Sequence, residues 1–554
     1  MRTRRLSEDQ IRRGEELSAL LQRRGGRTGR DRRSVAADLD GGERLLVLDH
    51  LIMAIGSLYA HLPAKRAAFA SNPVQALTLL QGRAAELTDA EFHAEVSRIV
   101  TGLRDAHTRY IGPQRLHGHV AVLPFLLEQY GPLEAPSYLV TKINTAAVED
   151  PEFLPGVRIE SWNGAPVDRA VQVHAESETG GRADSRRSRA LESLTFRAMD
   201  FRPPPDEDWV IVGYRTRTGR KAELRLPWRV VYPGEAWTAV ESGSRSALRV
   251  AADPAAESVR RAKKLQFAPD QWASDRRPAP SAPVAAGPGE WLESELPDVL
   301  SAKQVSADVG YLRIWSFNID DDDAFVTELV RLLALLPPTS LLIDVRANPG
   351  GLIWAAERAL QLFTDAPIAP VRFAPAASPL MRRLADSPFN RMELEPWLSS
   401  LTDAVSTGEQ YARPLPLTQP EWCNDVGRCY PGPVVVIADA NTYSSGDIFC
   451  AGVVDHEIGP VVITNARATG AGGANVWTSQ QLRDALAGLD DQLPPMPGGS
   501  AFTLAFRRII RSGASDGIPL EDLGVSGIPY AMTRRDLLDG NADLLKFAAG
   551  LLNS

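Results

Sequence analysis

Cysteine is scarce in this sequence: its 554 residues include only Cys423, Cys429 and Cys450. Three thiols exclude a disulfide framework and any zinc site built from four cysteines. Cys423 and Cys429 are close enough in the chain to form one disulfide in an oxidising compartment, or they are two unrelated thiols.

Long apolar runs are absent as well. No stretch reaches the roughly 20 apolar residues that a membrane-spanning helix needs. The N-terminal "MRTRRLSEDQIRRGEELSALLQRR" has the arginines of a signal peptide without its apolar core. We therefore expect a cytoplasmic protein with no membrane span.

The chain also lacks an excess of basic residues, because its formal net charge is -8. This charge argues against nucleic acid as the main partner. What the chain does have is length and a hydrophobic fraction of 44%, enough for three or four domains of roughly 100 to 200 residues each.

Hydrophobic patterning divides the chain into four regions. Apolar residues at helical spacing, with Thr88 and Glu91 as a capping box, predict a helical domain at residues 1–112. Short alternating runs predict a small β-rich domain at 118–232, and an Asn163-Gly164 pair within it predicts a tight turn. Residues 233–300 contain a Pro-, Ala- and Ser-rich linker or insert.

The last region, residues 301–554, alternates short apolar runs with helical patterns, which predicts an α/β core with both sheet faces largely covered. A Pro-rich insertion at 364–432 interrupts this alternation. Such an insertion either walls the substrate cleft or is a purely structural excursion.

Two turns from strand to helix carry the candidate chemistry. "LLIDVRANPGG" ends in Gly350-Gly351, where backbone N–H groups can turn toward a developing oxyanion, although a simple tight turn explains the pair equally well. "VVVIADANTYSSGDIFC" places Ser444 at a helix start. Alone, Ser444 is most simply a helix cap, with Asp447 complementing the helix dipole.

Several segments together resemble the S41 peptidases, a family that includes carboxyl-terminal processing proteases and the tricorn core protease. They occur in the order of that family, and they are "GYLRIWSF", "LLIDVRANPGGL", "VVVIADANTYSSGDIFCAGVVDH" and "PLEDLGVSGIPYAMTRRDLLDGNADLLKFA". The resemblance implies a crotonase-like ββα core and cleavage of peptide bonds. "LPGVRIESWNGAPVDRAV" resembles a PDZ domain, with Gly156-Val157 where Gly-Asp is usual; a generic small β module is the alternative.

The resemblance also assigns roles to single residues. Ser444 falls on the nucleophile position of the family. The only lysine after it is Lys546, so the Ser-Lys pair of carboxyl-terminal processing proteases is not expected. Tricorn-like members use a histidine, which "DAHT" places at His107, and a carboxylate, which "EDLGV" places at Glu521. Ala106 stands where tricorn has a serine.

A serine hydroxyl needs a base within hydrogen-bond reach, and a carboxylate steadies the resulting imidazolium. We therefore expect Ser444 to attack the peptide carbonyl, His107 to carry the proton and Glu521 to orient His107. His456 is the rival base but lies about three turns down the helix. Asp516 and Asp522 are rivals of Glu521.

Backbone N–H groups of Gly350 or Gly351 and of Ser445 are the expected oxyanion donors. The expected activity is a serine peptidase acting on peptides or unfolded protein tails, with no metal and no organic cofactor. Two alternatives are a non-catalytic peptide-binding scaffold that keeps the fold, and an acyl-transfer enzyme acting on an ester or lactam.

Overall fold

The computed structural model describes residues 39–234, 250–268, 289–387, 393–487, 489 and 493–552. Its architecture is mixed α/β, with several sheets and helices packed around them, as the sequence predicts. The predicted linker at 233–300 lies partly outside the described residues.

Within residues 39–112, the chain forms the α-helices α1 (Gly41–Leu58), α2 (Leu62–Phe69), α3 (Pro73–Gln81) and α4 (Asp89–Thr101). The capping box of α4 is confirmed, because the Thr88 N–H donates to the Glu91 carboxylate over 2.8 Å and the Glu91 N–H donates to the Thr88 hydroxyl over 3.3 Å. No single described helix is both long and apolar enough to cross a membrane; α1 and α2 meet that criterion only as a pair, with a bend of 95°. The chain then enters strand β1 (Arg109–Ile111).

The next region is rich in strands and carries two helices. One antiparallel sheet contains β2 (Val120–Val122), β7 (Phe196–Ala198) and β10 (Arg229–Val231). A second contains β3 (Phe125–Tyr130), β4 (Ser137–Ile143), β5 (Arg158–Trp162), β6 (Ala165–Pro166), β8 (Trp209–Arg215) and β9 (Lys221–Pro227). The helices are α5 (Val167–Ala175) and α6 (Ala183–Ser193).

The Asn163-Gly164 turn is confirmed. Both residues have positive φ, 48° and 83°, as a two-residue hairpin loop requires. The loop joins β5 to β6, which pair as antiparallel neighbours.

The C-terminal core is built on a six-stranded sheet in the order β12-β13-β14-β18-β19-β22, parallel except for β12 at its edge. These strands are β12 (Leu300–Gln304), β13 (Val309–Ile314), β14 (Ser340–Asp344), β18 (Val434–Asp439), β19 (Val461–Thr464) and β22 (Ile528–Tyr530). A separate two-stranded ladder joins β11 (Val250–Ala252) to β15 (Gly350–Leu352). The helices of this part are α7 (Pro254–Phe267), α8 (Asp322–Leu335), α9 (Ile353–Gln361), α12 (Ser445–Asp455), α14 (Arg534–Leu538) and α15 (Ala542–Leu551).

A five-stranded sheet connects the two ends of the chain. Its centre is β21 (Ala501–Ile510), which pairs with β1, with β16 (Arg372–Pro375) and with β20 (Ala474–Thr478), while β17 (Leu415–Pro416) continues from β16. The insertion at 364–432 thus supplies two strands and also α10 (Pro379–Ala385) and α11 (Leu398–Thr407); α13 (Ser479–Ala487) follows β20. The pairing of β1 with β21 brings the segment before β1 against the core.

All three cysteines are free. Cys423 and Cys450 are buried and Cys429 is exposed, so the reading of Cys423 and Cys429 as two unrelated thiols applies.

Candidate active site

Ser444 lies where β18 turns into α12, in a backbone conformation that is unusual for serine. Its φ is 65° and its ψ is -118°. Such a backbone costs free energy and persists only when neighbouring groups hold it. Asp447 provides this hold, because its carboxylate accepts hydrogen bonds from the N–H groups of Ser444 (2.7 Å), Ala471 (3.1 Å) and Gly472 (2.8 Å).

The structure brings His107 to Ser444. Nε2 of His107 lies 2.6 Å from the Ser444 hydroxyl oxygen, although the two residues are 337 positions apart in the chain. His107 follows α4 and precedes β1, whose Arg109 pairs with Thr503 of β21. Both side chains are fully buried. A serine hydroxyl at this distance can donate its proton to a neutral imidazole.

Burial determines the charge of His107. It lowers the pKa of His107 to about 4, and the nearby Asp105 and Asp253 carboxylates only partly oppose that effect. The imidazole is therefore neutral near pH 7, as a general base must be.

The sequence-based expectation is that Glu521 contacts His107. In the structure, the Glu521 carboxylate instead has other hydrogen-bond partners. One Glu521 oxygen accepts from Lys65 Nζ over 2.6 Å, and the other accepts from the Gly473 N–H over 2.9 Å. Lys65 is fully buried, and the facing Glu521 and Asp522 carboxylates raise its pKa against the effect of burial. Glu521 thus pairs with a buried ammonium on α2, which no local sequence pattern indicates.

The rival residues also lie elsewhere. Asp522 pairs with Lys65, and Asp516 pairs with Arg372. His456 ends α12, and its Nε2 contacts the Ala369 carbonyl oxygen at 3.1 Å. These contacts leave His107 as the imidazole beside Ser444.

Asp105 is the carboxylate that faces His107. Its Oδ1 accepts the His107 N–H over 2.8 Å and lies 4.0 Å from Nδ1 of the ring. Its Oδ2 accepts from the Thr108 hydroxyl over 2.9 Å. His107 Nδ1 has no hydrogen-bond partner among the residues that the structure describes. Sequence reasoning missed Asp105, although it stands in the same "DAHT" segment as His107.

The expected oxyanion donors differ in their surroundings. The Gly350 N–H donates to the Asn348 side chain over 2.9 Å, so in this conformation it is already committed. Gly351 has φ 146°, and a Cβ on it would lie 1.9 Å from the Phe317 carbonyl carbon, so only glycine fits. The Ser445 hydroxyl donates to the Gly351 carbonyl oxygen over 2.9 Å, which ties the start of α12 to β15.

Strand β11 covers this edge of the site. It runs antiparallel to β15, with Ala251 opposite Gly351. The next residue, Asp253, donates its N–H to the Pro349 carbonyl oxygen over 2.8 Å. A segment of the chain itself therefore occupies the strand position beside Gly351.

One group of side chains has the spacing of a metal site. Ligand atoms of His61, Asp105 and Glu521, all buried, lie within 4.8 Å of one another. The Lys65 ammonium, 2.6 Å from Glu521, already supplies a positive charge there. The expectation that the protein uses no metal stays a prediction.

Comparison with known proteins supports one family. Residues 308–512 match the model of Peptidase family S41. Mature CPAF matches with a TM-score of 0.62 at 17% identity, over 93% of this chain and 98% of that one. The s499a mutant of CPAF matches with a TM-score of 0.64 at 16% identity, over the same shares. The tricorn protease gives 0.33 at 13% identity, over 93% of this chain and 37% of that one, a score too low to support an argument. No curated protein matches the sequence. The likeness to CPAF shows that the two chains share a fold.

Proposed function

We propose that this chain, whose residues 308–512 match the model of Peptidase family S41, hydrolyses peptide bonds with Ser444 as nucleophile and His107 as general base. The observation that carries the proposal is the distance of 2.6 Å between His107 Nε2 and the Ser444 hydroxyl oxygen.

The proposed reaction has two stages. The Ser444 oxygen attacks the carbonyl carbon of the peptide bond while His107 takes the hydroxyl proton. His107 then gives that proton to the leaving amine, which leaves an acyl group on Ser444. Water, deprotonated by the same imidazole, then attacks the acyl carbon; the bond from that carbon to the Ser444 oxygen breaks, and His107 returns the proton to Ser444 as the acid product leaves.

We propose Asp105, in place of Glu521, as the carboxylate that steadies the imidazolium. Opposite charges 4 Å apart attract by about 4 kcal/mol at an effective dielectric constant of 20. Asp105 is at this distance from Nδ1, whereas Glu521 hydrogen-bonds to Lys65. The N–H groups of Gly351 and Ser445 are the proposed oxyanion donors, and Gly351 is the position where a side chain cannot fit.

We further propose that residues 118–232 form a PDZ-like domain and that the core has the crotonase-like arrangement. The strand–turn–strand unit at Asn163-Gly164, followed directly by α5, supports the first part. Peptides and unfolded protein tails are the substrates that suit a site reached by an extended chain, as β11 reaches it beside Gly351.

A fluorophosphonate probe tests the proposal, because it reacts covalently with an activated serine. We expect the wild-type protein to be labelled at Ser444 and the Ser444→Ala variant to remain unlabelled. The His107→Ala variant should be labelled slower by a factor on the order of 10⁴ or more. Cleavage of an unstructured protein, followed by mass spectrometry, should show new peptide ends in parallel.

His456→Ala is the matched control, since its imidazole hydrogen-bonds to the Ala369 carbonyl oxygen and not to Ser444 in the described part of the chain, and its labelling should equal the wild type. Undiminished cleavage by Ser444→Ala contradicts the proposal. Absence of labelling and cleavage in folded wild-type protein favours the non-catalytic scaffold, whereas labelling without peptide products favours an ester or lactam substrate.

A further inference from the structure

Two buried arginines adjoin the candidate active site. Arg109 belongs to β1 and Arg189 to α6, and their side chains are 5% and 7% exposed. The Arg189 guanidinium lies 4.7 Å from the centre of the Tyr443 ring. That ring in turn lies 4.7 Å from the His107 ring. The two guanidinium groups therefore stand beside the proposed base.

Asp253 occupies the space between these arginines. Its carboxylate is fully buried, forms an ion pair with Arg189 and lies 3.7 Å from Arg109. Asp253 directly follows β11, the strand that pairs with Gly350–Leu352. The acidic side chain thus reaches the arginines from a strand that runs along the edge of the site.

Among the residues that the structure describes, Asp253 is the one carboxylate that forms ion pairs with these two arginines. Its Oδ1 also accepts hydrogen bonds from the Ala255 and Ala256 N–H groups at the start of α7, while Arg189 Nε has no hydrogen-bond partner in that part of the chain. A buried cation without an anion is costly, so the pocket needs a carboxylate whenever β11 leaves it. The planar guanidinium matches a carboxylate with two parallel hydrogen bonds.

We propose that Arg109 and Arg189 form a substrate subsite for an acidic side chain, and that Asp253 occupies it in place of substrate. This inference rests on the proposed peptidase function. A substrate strand in the register of β11 carries its aspartate or glutamate two residues after the residue opposite Gly351. The Asp253 carboxylate that contacts the arginines belongs to a side chain, and the backbone continues beyond it into α7. The subsite therefore suits an acidic residue within a substrate chain better than a terminal carboxylate.

Peptides that copy residues 248–256, "LRVAADPAA", test the subsite. We expect binding to the full-length Ser444→Ala protein, measured by fluorescence anisotropy, to be tighter for the peptide with Asp at the position of Asp253 than for its Asn analogue. The difference should be on the order of 10- to 100-fold. Adding Asp253→Asn, which removes the resident carboxylate, should tighten the Asp peptide further.

Variants on one helix provide the control. Arg189→Gln should abolish the preference for Asp, Arg189→Lys should keep part of it, and Arg187→Gln should leave it unchanged because Arg187 pairs with Asp168. Arg109→Gln provides a second test if Arg189→Gln does not fold. In the Ser444-intact protein the same preference should appear in kcat/KM, mainly through KM.

Equal binding of the Asp and Asn peptides, or no binding of either, overturns the subsite. Tighter binding of a peptide that ends at this position in a free carboxylate, without a preference for Asp, also overturns it. Because binding is measured without Ser444, this outcome is separate from failure of the peptidase proposal, which the fluorophosphonate reports.

Discussion

Ser444 shows how one residue serves two structural demands. Its N–H donates a hydrogen bond to the carboxylate of Asp447, while its hydroxyl lies beside His107 Nε2. Asp447 is fully buried, and burial raises its pKa to about 6 despite the hydrogen bonds from residues 444, 471 and 472. The carboxylate of Asp447 holds the positive φ of Ser444, and in this conformation the hydroxyl lies within hydrogen-bond distance of the imidazole.

The pH dependence of the site follows from the burial of His107. Protonation places a charge inside the protein, so the ring resists it and its pKa falls to about 4 from 6.5. Only the neutral ring accepts the serine proton. We expect the rate of fluorophosphonate labelling to decline in acid with a midpoint below 6.5. Labelling rates between pH 4 and 8, with tryptophan fluorescence as a control for unfolding, check this, and a midpoint at or above 6.5 contradicts it.

Asp105 and Glu521 are distinguished by substitution. Asp105→Asn removes the charge facing His107 and should slow labelling by a factor on the order of 10² to 10⁴. Glu521→Gln removes the charge of a partner of the buried Lys65, so it should lower the free energy of unfolding. Its effect on the labelling rate should be smaller than that of Asp105→Asn. Labelling rates and urea unfolding of both variants decide between them. A larger loss of labelling in Glu521→Gln would instead support the role that the resemblance to S41 peptidases implies for Glu521.

At the scale of elements, the sequence predicted most of the core. "SLLIDV", "PVVVIAD" and "PVVIT" coincide with β14, β18 and β19, because buried parallel strands are short continuous apolar runs between turn residues. The helices after Gly351 and Ser444 begin where the sequence placed them. These features depend on the spacing of apolar and turn residues within a short segment, and a single sequence is sufficient to show that spacing.

The partners of the site did not follow from local spacing. Lys65 meets Glu521 across 456 positions, and Arg189 meets Asp253 across 64. Strand β11 lies in the region that the sequence analysis interpreted as a linker or insert. The strand has only three residues and is followed by a Pro-rich stretch, so it shows no alternation of apolar and polar residues. Such contacts depend on the topology of the sheets. Topology brings together segments whose local sequence patterns do not indicate the contact.

The β11–β15 ladder makes a prediction about access to Ser444. Ala251→Pro removes the backbone N–H opposite Gly351 and should release the strand, since proline cannot donate to a ladder. We expect faster fluorophosphonate labelling of Ser444, by a factor on the order of 10 or more for a lost ladder that held the strand by about 1.4 kcal/mol. Ala251→Ser keeps the N–H and is the matched control. Equal rates in both variants indicate that β11 does not restrict access.

At the scale of the whole molecule, the site depends on contacts between the two ends of the chain. β1 pairs with β21, the Ala60 N–H donates to the Ala505 carbonyl oxygen over 2.9 Å, and Lys65 pairs with Glu521 and Asp522. These contacts hold the segment with His107 against the segment with Ser444. Neither half of the chain contains both groups.

Among these contacts, the ion pairs of Lys65 should contribute strongly to stability, because its ammonium is fully buried between two carboxylates. Lys65→Met keeps the length of the side chain and removes its charge, which leaves the buried Glu521 and the half-buried Asp522 without their cation. Breaking a buried ion pair in this way typically costs about 3–5 kcal/mol. We expect urea unfolding to show a loss of this size, together with slower labelling of Ser444 in protein that is still folded.

Lys142→Met is the control, since Lys142 is exposed on β4 and its loss should change stability by no more than about 0.5 kcal/mol. Stability and labelling should fall together in Lys65→Met, because the same ion pairs join α2 to residues 521–522, and Glu521 lies close to Asp105. If Lys65→Met lost stability but labelled at the wild-type rate, the pairing of β1 with β21 would by itself be sufficient to position His107.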